Sequence, residues 1–258
     1  FYTSTYHSNT NERKSYSMKL GIQLYTVRDF LSQNMEDTIS SLAKMGYQTV
    51  EHFGGFSCDA DRLAEALSAN NMSCVSWHAP LHYLENDLFF GTMAYFKRVG
   101  LKYCVFTVGP DIILDNEKRA DLIKRMDAVQ KALAPYGIKT GYHNHWWEFD
   151  QDALPFNEIN KNTSLLMEFD TGNAMKNNWT LEKAAALYPG RQEILHIKPY
   201  SFEKEFNCDM GEDSVDWAAV KKVAREQNAQ YLIFEHEDAP TAMQRAEKNI
   251  AMMKKLLL

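Results

Sequence analysis

The run Ile194-Leu195-His196-Ile197-Lys198 carries the pattern that decides the fold. Successive residues of an extended chain face opposite ways, so Ile194, His196 and Lys198 share one side and Leu195 and Ile197 the other. The second side is wholly apolar and suits packing under a helix. The first begins apolar and turns polar toward its C-terminal end. Comparable short runs recur along the chain at Leu20–Tyr25, Thr49–Phe53, Ser73–His78, Tyr103–Val108, Lys139–His145, Leu165–Asp170 and Tyr231–Glu235. Amphipathic segments lie between them, including Met35–Met45, Asp61–Asn70, Glu117–Ala134, Val215–Gln227 and Ala242–Leu257. Met45-Gly46-Tyr47 and Tyr136-Gly137-Ile138 read as helix ends that hand over to a strand. Spacings of roughly 20–40 residues between strands match a βα unit. Eight such units in 258 residues predict an α/β fold of the closed (β/α)8, or TIM, barrel type.

Other α/β readings lack their signatures. The turn after the first strand, Tyr25-Thr26-Val27-Arg28-Asp29, has no glycine, which argues against a dinucleotide fold. The net charge of −6 and the lack of any Lys/Arg run longer than a pair argue against nucleic-acid binding. No apolar stretch is long enough to span a bilayer. Cys58, Cys74, Cys104 and Cys208 are far apart in sequence and form no CxxC pair, so neither a metal ribbon nor a disulfide framework is expected. Cys74 and Cys104 fall in apolar strands and read as reduced core residues. Residues 1–17 are polar and without periodicity, and read as an N-terminal arm or leader remnant before a single barrel domain over 18–258. A cytoplasmic location is expected, or a periplasmic one if a cleaved signal peptide precedes that arm. The oligomeric state is open, a homodimer included.

In a barrel of this kind the chemistry sits at the C-terminal ends of the strands. Parity groups Glu168 and Asp170 with Leu166, and Glu235 with Ile233, just as it groups His196 with Ile194. These polar groups therefore point inside. Converging buried carboxylates need a cation. One divalent ion held by Glu148, Asp170, His196 and Glu235 meets that need, and Mn2+, Mg2+, Co2+ and Zn2+ all suit such a donor set. Glu148 lies beyond strand 5, outside the parity argument. His143 and His145 share a face, and at least one is expected to contact substrate or metal. Glu51 and His78 are candidates for the substrate pocket. Trp77, Trp146, Trp147 and Trp179 are candidate walls for a sugar-sized cavity. His52 and His236 share the parity of apolar neighbours and read as structural.

The stretches Gly21-Ile22-Gln23-Leu24-Tyr25-Thr26-Val27-Arg28, Tyr142-His143-Asn144-His145-Trp146-Trp147-Glu148-Phe149 and His196-Ile197-Lys198 resemble the sugar phosphate isomerase/epimerase family. This family belongs to the xylose-isomerase-like TIM barrels, with inosose dehydratase, ketose 3-epimerases and endonuclease IV. The resemblance covers the chain from Met18 onward, and the His-Asn-His-x-x-Glu-Phe stretch is its most specific part. It implies metal ligation by Glu148, Asp170, His196 and Glu235. It also implies substrate contact or proton transfer by His143 and His145, and neutralisation of substrate oxygens by Lys198. The expected reaction is isomerisation or epimerisation of a small sugar through a metal-stabilised enediolate, with Glu148, Glu235 and His145 as acid/base candidates and Glu51, His78, Lys198 and Trp147 around the substrate. A dehydratase or lyase acting on an inosose or 3-keto glycoside is the alternative. A phosphodiesterase of the endonuclease IV kind and a non-catalytic sugar-binding barrel are weaker rivals. Two departures from the family pattern stand out. Pro199 follows His-Ile-Lys where Asp is common, and Gly211-Glu212-Asp213 stands where Gly-Glu-Gly is common. The second points to an unphosphorylated sugar or glycoside derivative.

Overall fold

A computed structural model describes residues 17–56, 58–237 and 239–258. The proposed arm, apart from Ser17, lies outside these residues. Strands β1 (Lys19–Gln23), β2 (Thr49–Phe53), β3 (Ser73–His78), β4 (Tyr103–Phe106), β5 (Lys139–His143), β6 (Leu166–Asp170), β7 (Ile194–Ile197) and β8 (Tyr231–Phe234) are all parallel. They pair in sequence order, and β8 closes on β1 through Lys19↔Tyr231 to Ile22↔Phe234. The expected (β/α)8 barrel is therefore the observed one.

Local chemistry sets the helix limits. The helix Met35–Met45 starts where the Asn34 side chain accepts from the Asp37 N–H, and it stops at Gly46, whose φ of 108° suits glycine. Asp115 caps Asn116–Leu133 in the same way, accepting from the backbone of Glu117 and Lys118. Gly137, at φ 72°, turns the chain into β5.

The apolar residues divide into two cores. Leu20, Ile22, Val50, Cys74, Trp77, Leu195, Ile197, Leu232 and Phe234 pack under the helices in the larger one. Val75, Tyr103, Val105, Ile194, Tyr231 and Ile233 form a separate plug inside the barrel. This division is the parity expected for β7 and β8. All four cysteines are free, with Cys74 and Cys104 buried as expected. Below the plug, the lower end of the barrel is tied shut. Tyr103 Oη donates to Glu193 at 3.0 Å, Lys139 Nζ pairs with the same carboxylate at 2.6 Å, and Lys102 Nζ donates to Tyr231 Oη at 3.0 Å. Among the described residues no helix is long and apolar enough to cross a membrane.

Candidate metal centre

Above the plug the same strands turn polar and form a cup with two layers. The lower layer is built by Glu51 of β2, His78 of β3 and Glu168 of β6. Glu51 Oε1 accepts from Gln23 Nε2 at 2.7 Å and lies 2.9 Å from His78 Nε2 and 2.6 Å from His196 Nε2. Glu168 Oε2 is 2.5 Å from His78 Nε2 and 3.2 Å from His143 Nδ1. The upper layer holds Asp170, Glu235 and Lys198. Asp170 Oδ2 is 3.9 Å from both His143 Nε2 and His196 Nδ1, and Glu235 Oε2 is 3.4 Å from His196 Nδ1. The rings of His143 and His196 stand between the layers, each turning one nitrogen toward the carboxylates of each.

Short-range sequence features hold these groups in place. Asp170 divides its two oxygens: Oδ1 accepts from the Asn173 N–H at 2.7 Å and caps the helix Thr171–Lys176, which leaves Oδ2 for the cup. The turn chemistry of Asp170-Thr171-Gly172-Asn173 thus occupies one carboxylate oxygen and leaves the other available to the cup. Asn144 Oδ1 accepts from the Asp170 N–H at 3.0 Å, and Thr171 Oγ1 bonds both the N–H and the carbonyl of Lys198. A side chain on Gly172 would stand 2.7 Å from the Lys198 carbonyl oxygen, so only glycine lets β6 and β7 finish this close together.

The electrostatics follow from burial. Burial first, and then Glu51, pushes the Glu168 carboxyl up to about 7. Burial likewise raises Asp170 to about 7, with Lys198 opposing and Glu235 reinforcing the rise. Burial works against ionising Glu51 and Glu235, but His78 and His196 outweigh it at Glu51, and Lys198 and His196 at Glu235, so both stay well below the usual carboxylate range. At His78 burial is overcome by Glu51 and Glu168, which push its pKa up to about 10. His143 is driven well below the ordinary histidine value by burial and by the neighbouring His196 and His78.

This donor set fits a divalent cation. Glu51 Oε2, Glu168 Oε1 and Asp170 Oδ2 are buried oxygens with no hydrogen-bond partner, an arrangement costly without positive charge. Two groups of potential ligands have their donor atoms within 4.8 Å of one another: His143, Asp170, His196 and Glu235 above, and His78, His143, Glu168 and His196 below. Carboxylate oxygens mixed with imidazole suit Mn2+, Mg2+, Co2+ or Zn2+.

Over the cup opens a pocket of about 530 Å3, lined by His78, His145, Trp146, Trp147, Phe206 and Glu235 among others. His145 stacks on Trp147 with centroids 4.3 Å apart, and its Nδ1 lies 3.3 Å from Thr107 Oγ1. Burial and the positive charge of Lys198 lower its pKa to about 3.

Of the residues expected from sequence, Asp170, His196 and Glu235 come together in one group, with His143 as its fourth member. Glu51 and His78 reach the cup from the other side, and Glu51 sits beneath the pocket rather than in its wall. Lys198 Nζ is 3.3 Å from Glu235 and 2.6 Å from Glu237. Glu148 is not brought to the cup. Its Oε1 accepts from Tyr142 Oη at 2.7 Å and its Oε2 from the His145 N–H at 2.8 Å, so it braces the turn that follows β5. Trp146 and Trp147 wall the pocket, whereas Trp77 and Trp179 pack in the outer core. His52 lies against Trp77 and Tyr95, away from the cup, as its parity implied. Glu168 and Gln23 were not singled out from the sequence. Parity did point Glu168 inward, but nothing in the sequence marked Gln23 as the donor to Glu51.

The family model for the xylose isomerase-like TIM barrel matches residues 39–256. The chain belongs to this family. Solved structures similar to this xylose isomerase-like barrel include a sugar phosphate isomerase/epimerase from Parabacteroides distasonis, with TM-score 0.77, 17% identity, and coverage of 93% of this chain and 98% of that one. A D-allulose 3-epimerase from Methylomonas sp. matches with TM-score 0.69 and 13% identity over 93% and 98% of the two chains. A probable 3-DHS dehydratase from Bacillus anthracis matches with TM-score 0.71 and 12% identity over 92% and 99%. At these identities the likeness is one of fold. No curated protein matches the chain by sequence.

Proposed function

We propose that this barrel is a divalent-metal-dependent sugar isomerase or epimerase that moves a proton at a carbon next to a carbonyl. The observation that carries the reading is the upper group itself: two carboxylates and two imidazoles within 4.8 Å of one another, beneath a pocket walled by aromatic rings. His143, Asp170, His196 and Glu235 are the proposed ligands. The upper layer is favoured because it presents a carboxylate, Glu235, to the pocket, whereas the lower layer reaches the pocket through His78 and its carboxylates Glu51 and Glu168 lie deeper. Bound there, the ion would supply Lewis-acid charge against the negative charge that develops on the substrate as the proton leaves.

The remaining steps belong to the side chains. Glu168 and Glu51 accept from the lower nitrogens of His143 and His196, which fixes the tautomer and angle of both rings. Lys198 keeps Glu235 ionised, and Glu235 takes the α-proton and returns it. His145 stays neutral near pH 7 and offers a ring nitrogen to a substrate hydroxyl. Trp147 holds His145 in plane and presents an apolar wall to a sugar ring. Glu148 acts through the His145 backbone. Elimination of a β-substituent by the same residues is the second reading, favoured by the dehydratase among the similar structures.

The test is a proton-exchange screen. Candidate ketoses, inososes and 3-keto glycosides are incubated in D2O with the Mn2+-loaded protein, and deuterium at carbon identifies the substrate. Reconstituted protein that retains less than about a tenth of an equivalent of metal refutes the ligand assignment.

A further inference from the structure

We propose that the site selects an uncharged sugar over a phosphorylated one, and that Glu237 enforces the choice by occupying the Lys198 ammonium and turning the mouth acidic. The proposal deepens the isomerase/epimerase reading and rests on it.

A sugar phosphate needs cations or free N–H groups to receive its dianion. Among the described residues lining the pocket there is no lysine or arginine, and the cationic His78 is already paired with Glu51 and Glu168, while Glu235 and Glu237 both contribute carboxylates. Of the nearby cations, Lys198 and Arg28 are engaged by other groups, while Lys176 rests on two rings of the pocket wall. Lys198 is buried, with Nζ 2.6 Å from Glu237 and 3.3 Å from Glu235. Lys176 Nζ sits 4.9 Å above the Trp146 ring and 5.7 Å from that of Phe206. Arg28 gives Nη1 to the Tyr25 carbonyl and Nη2 to the Glu237 carbonyl, with its guanidinium 4.1 Å over the Tyr25 ring.

In the loop after β7, three donors are taken up by the loop itself. Asp213 accepts from the Gly211 and Val215 N–H groups, each at 2.8 Å, and from Trp217 Nε1 at 2.9 Å. Donors that could cradle a phosphate are thus answered by a carboxylate of the loop itself. Tyr25, Phe53, Trp147 and Phe206 line the same pocket, and their faces suit the C–H surface of a neutral sugar ring.

Glu237 is the residue on which this selectivity turns. Its side chain is half exposed at the mouth, so it meets both Lys198 and an incoming substrate. Like charges placed together at a binding rim discriminate against the wrong partner.

The Mn2+-loaded enzyme is assayed for proton exchange in D2O on D-fructose, D-tagatose and D-allulose, each against its 6-phosphate. In parallel, the non-reacting pair D-glucitol and D-glucitol 6-phosphate is titrated calorimetrically. The expected result is at least about a tenfold preference for the uncharged member in exchange or binding, with Glu237→Gln shifting the ratio toward the phosphate by about tenfold. Equal or better use of the phosphates overturns the proposal and leaves the reaction class standing. A Glu237→Gln change that moves both members of a pair equally removes Glu237 as the cause. Absence of both exchange and polyol binding across every pair overturns the isomerase reading, and this proposal with it.

Discussion

A single residue separates Ile194 from His196, and a single one separates Ile233 from Glu235, yet the members of each pair sit in regions with opposite energetics. The lower region is an apolar plug whose side chains gain by leaving water. The upper is a set of buried carboxylates and imidazoles that gains nothing from burial and is held in place by the strands around it. One strand alternation builds both, so a single closed sheet serves as ballast at one level and as reactive surface at the next. Substitutions in the two regions should therefore separate stability from activity.

The largest separation is expected from Glu235→Gln. Proton exchange should fall by at least about a thousandfold and bound metal below about a tenth of an equivalent, with the unfolding midpoint unchanged or raised, since a buried charge has been removed. Exchange within tenfold of the wild type would move the reaction out of the upper layer. Ile233→Ala inverts the pattern. It should cost about 2–5 kcal/mol in urea unfolding, while metal content per folded molecule stays the same. Glu168→Gln tests the boundary between the layers. As a partner that orients His143 it should weaken metal affinity by about 10–100-fold in a competition titration; a loss exceeding that of Glu235→Gln would make the lower layer the ligand shell. The smallest effect concerns Glu148. Burial pushes its carboxyl to about 7 from 4.5, so the folded state holds this proton more tightly than the unfolded chain does. Its contribution must then fall as pH rises from about 4.5 to about 7, by about 1–3 kcal/mol. Glu148→Gln should flatten that part of the stability–pH curve, and an unchanged slope would remove Glu148 as its source.

Much of this was legible because period-2 alternation is a strong signal wherever one face must be apolar. Thr49–Phe53, Ser73–His78 and Met35–Met45 match the sequence reading at both ends. Strands expected to run through Tyr25, Val108 and His145 stop two residues earlier, at Gln23, Phe106 and His143. Their last residues already belong to loops held by side chains: Gln23 accepts from the Tyr25 N–H at 3.2 Å, and Glu148 from His145. Parity placed Asp170, His196 and Glu235 inside correctly because all three lie on a strand or directly follow one. It had no purchase on Glu148, whose direction is set by Tyr142 and by a 3-10 turn at Trp147–Phe149. Nor could it rank Glu168 against Asp170, since both share a face and only depth along the barrel tells them apart.

The ties among Tyr103, Lys139, Glu193, Lys102 and Tyr231 leave the barrel with one door. The cup opens upward into the pocket that Trp147 and Phe206 help to wall. An occupant resting on those rings would also shield the cup from solvent, and under the proposed reaction the proton would stay beside the carbon it left.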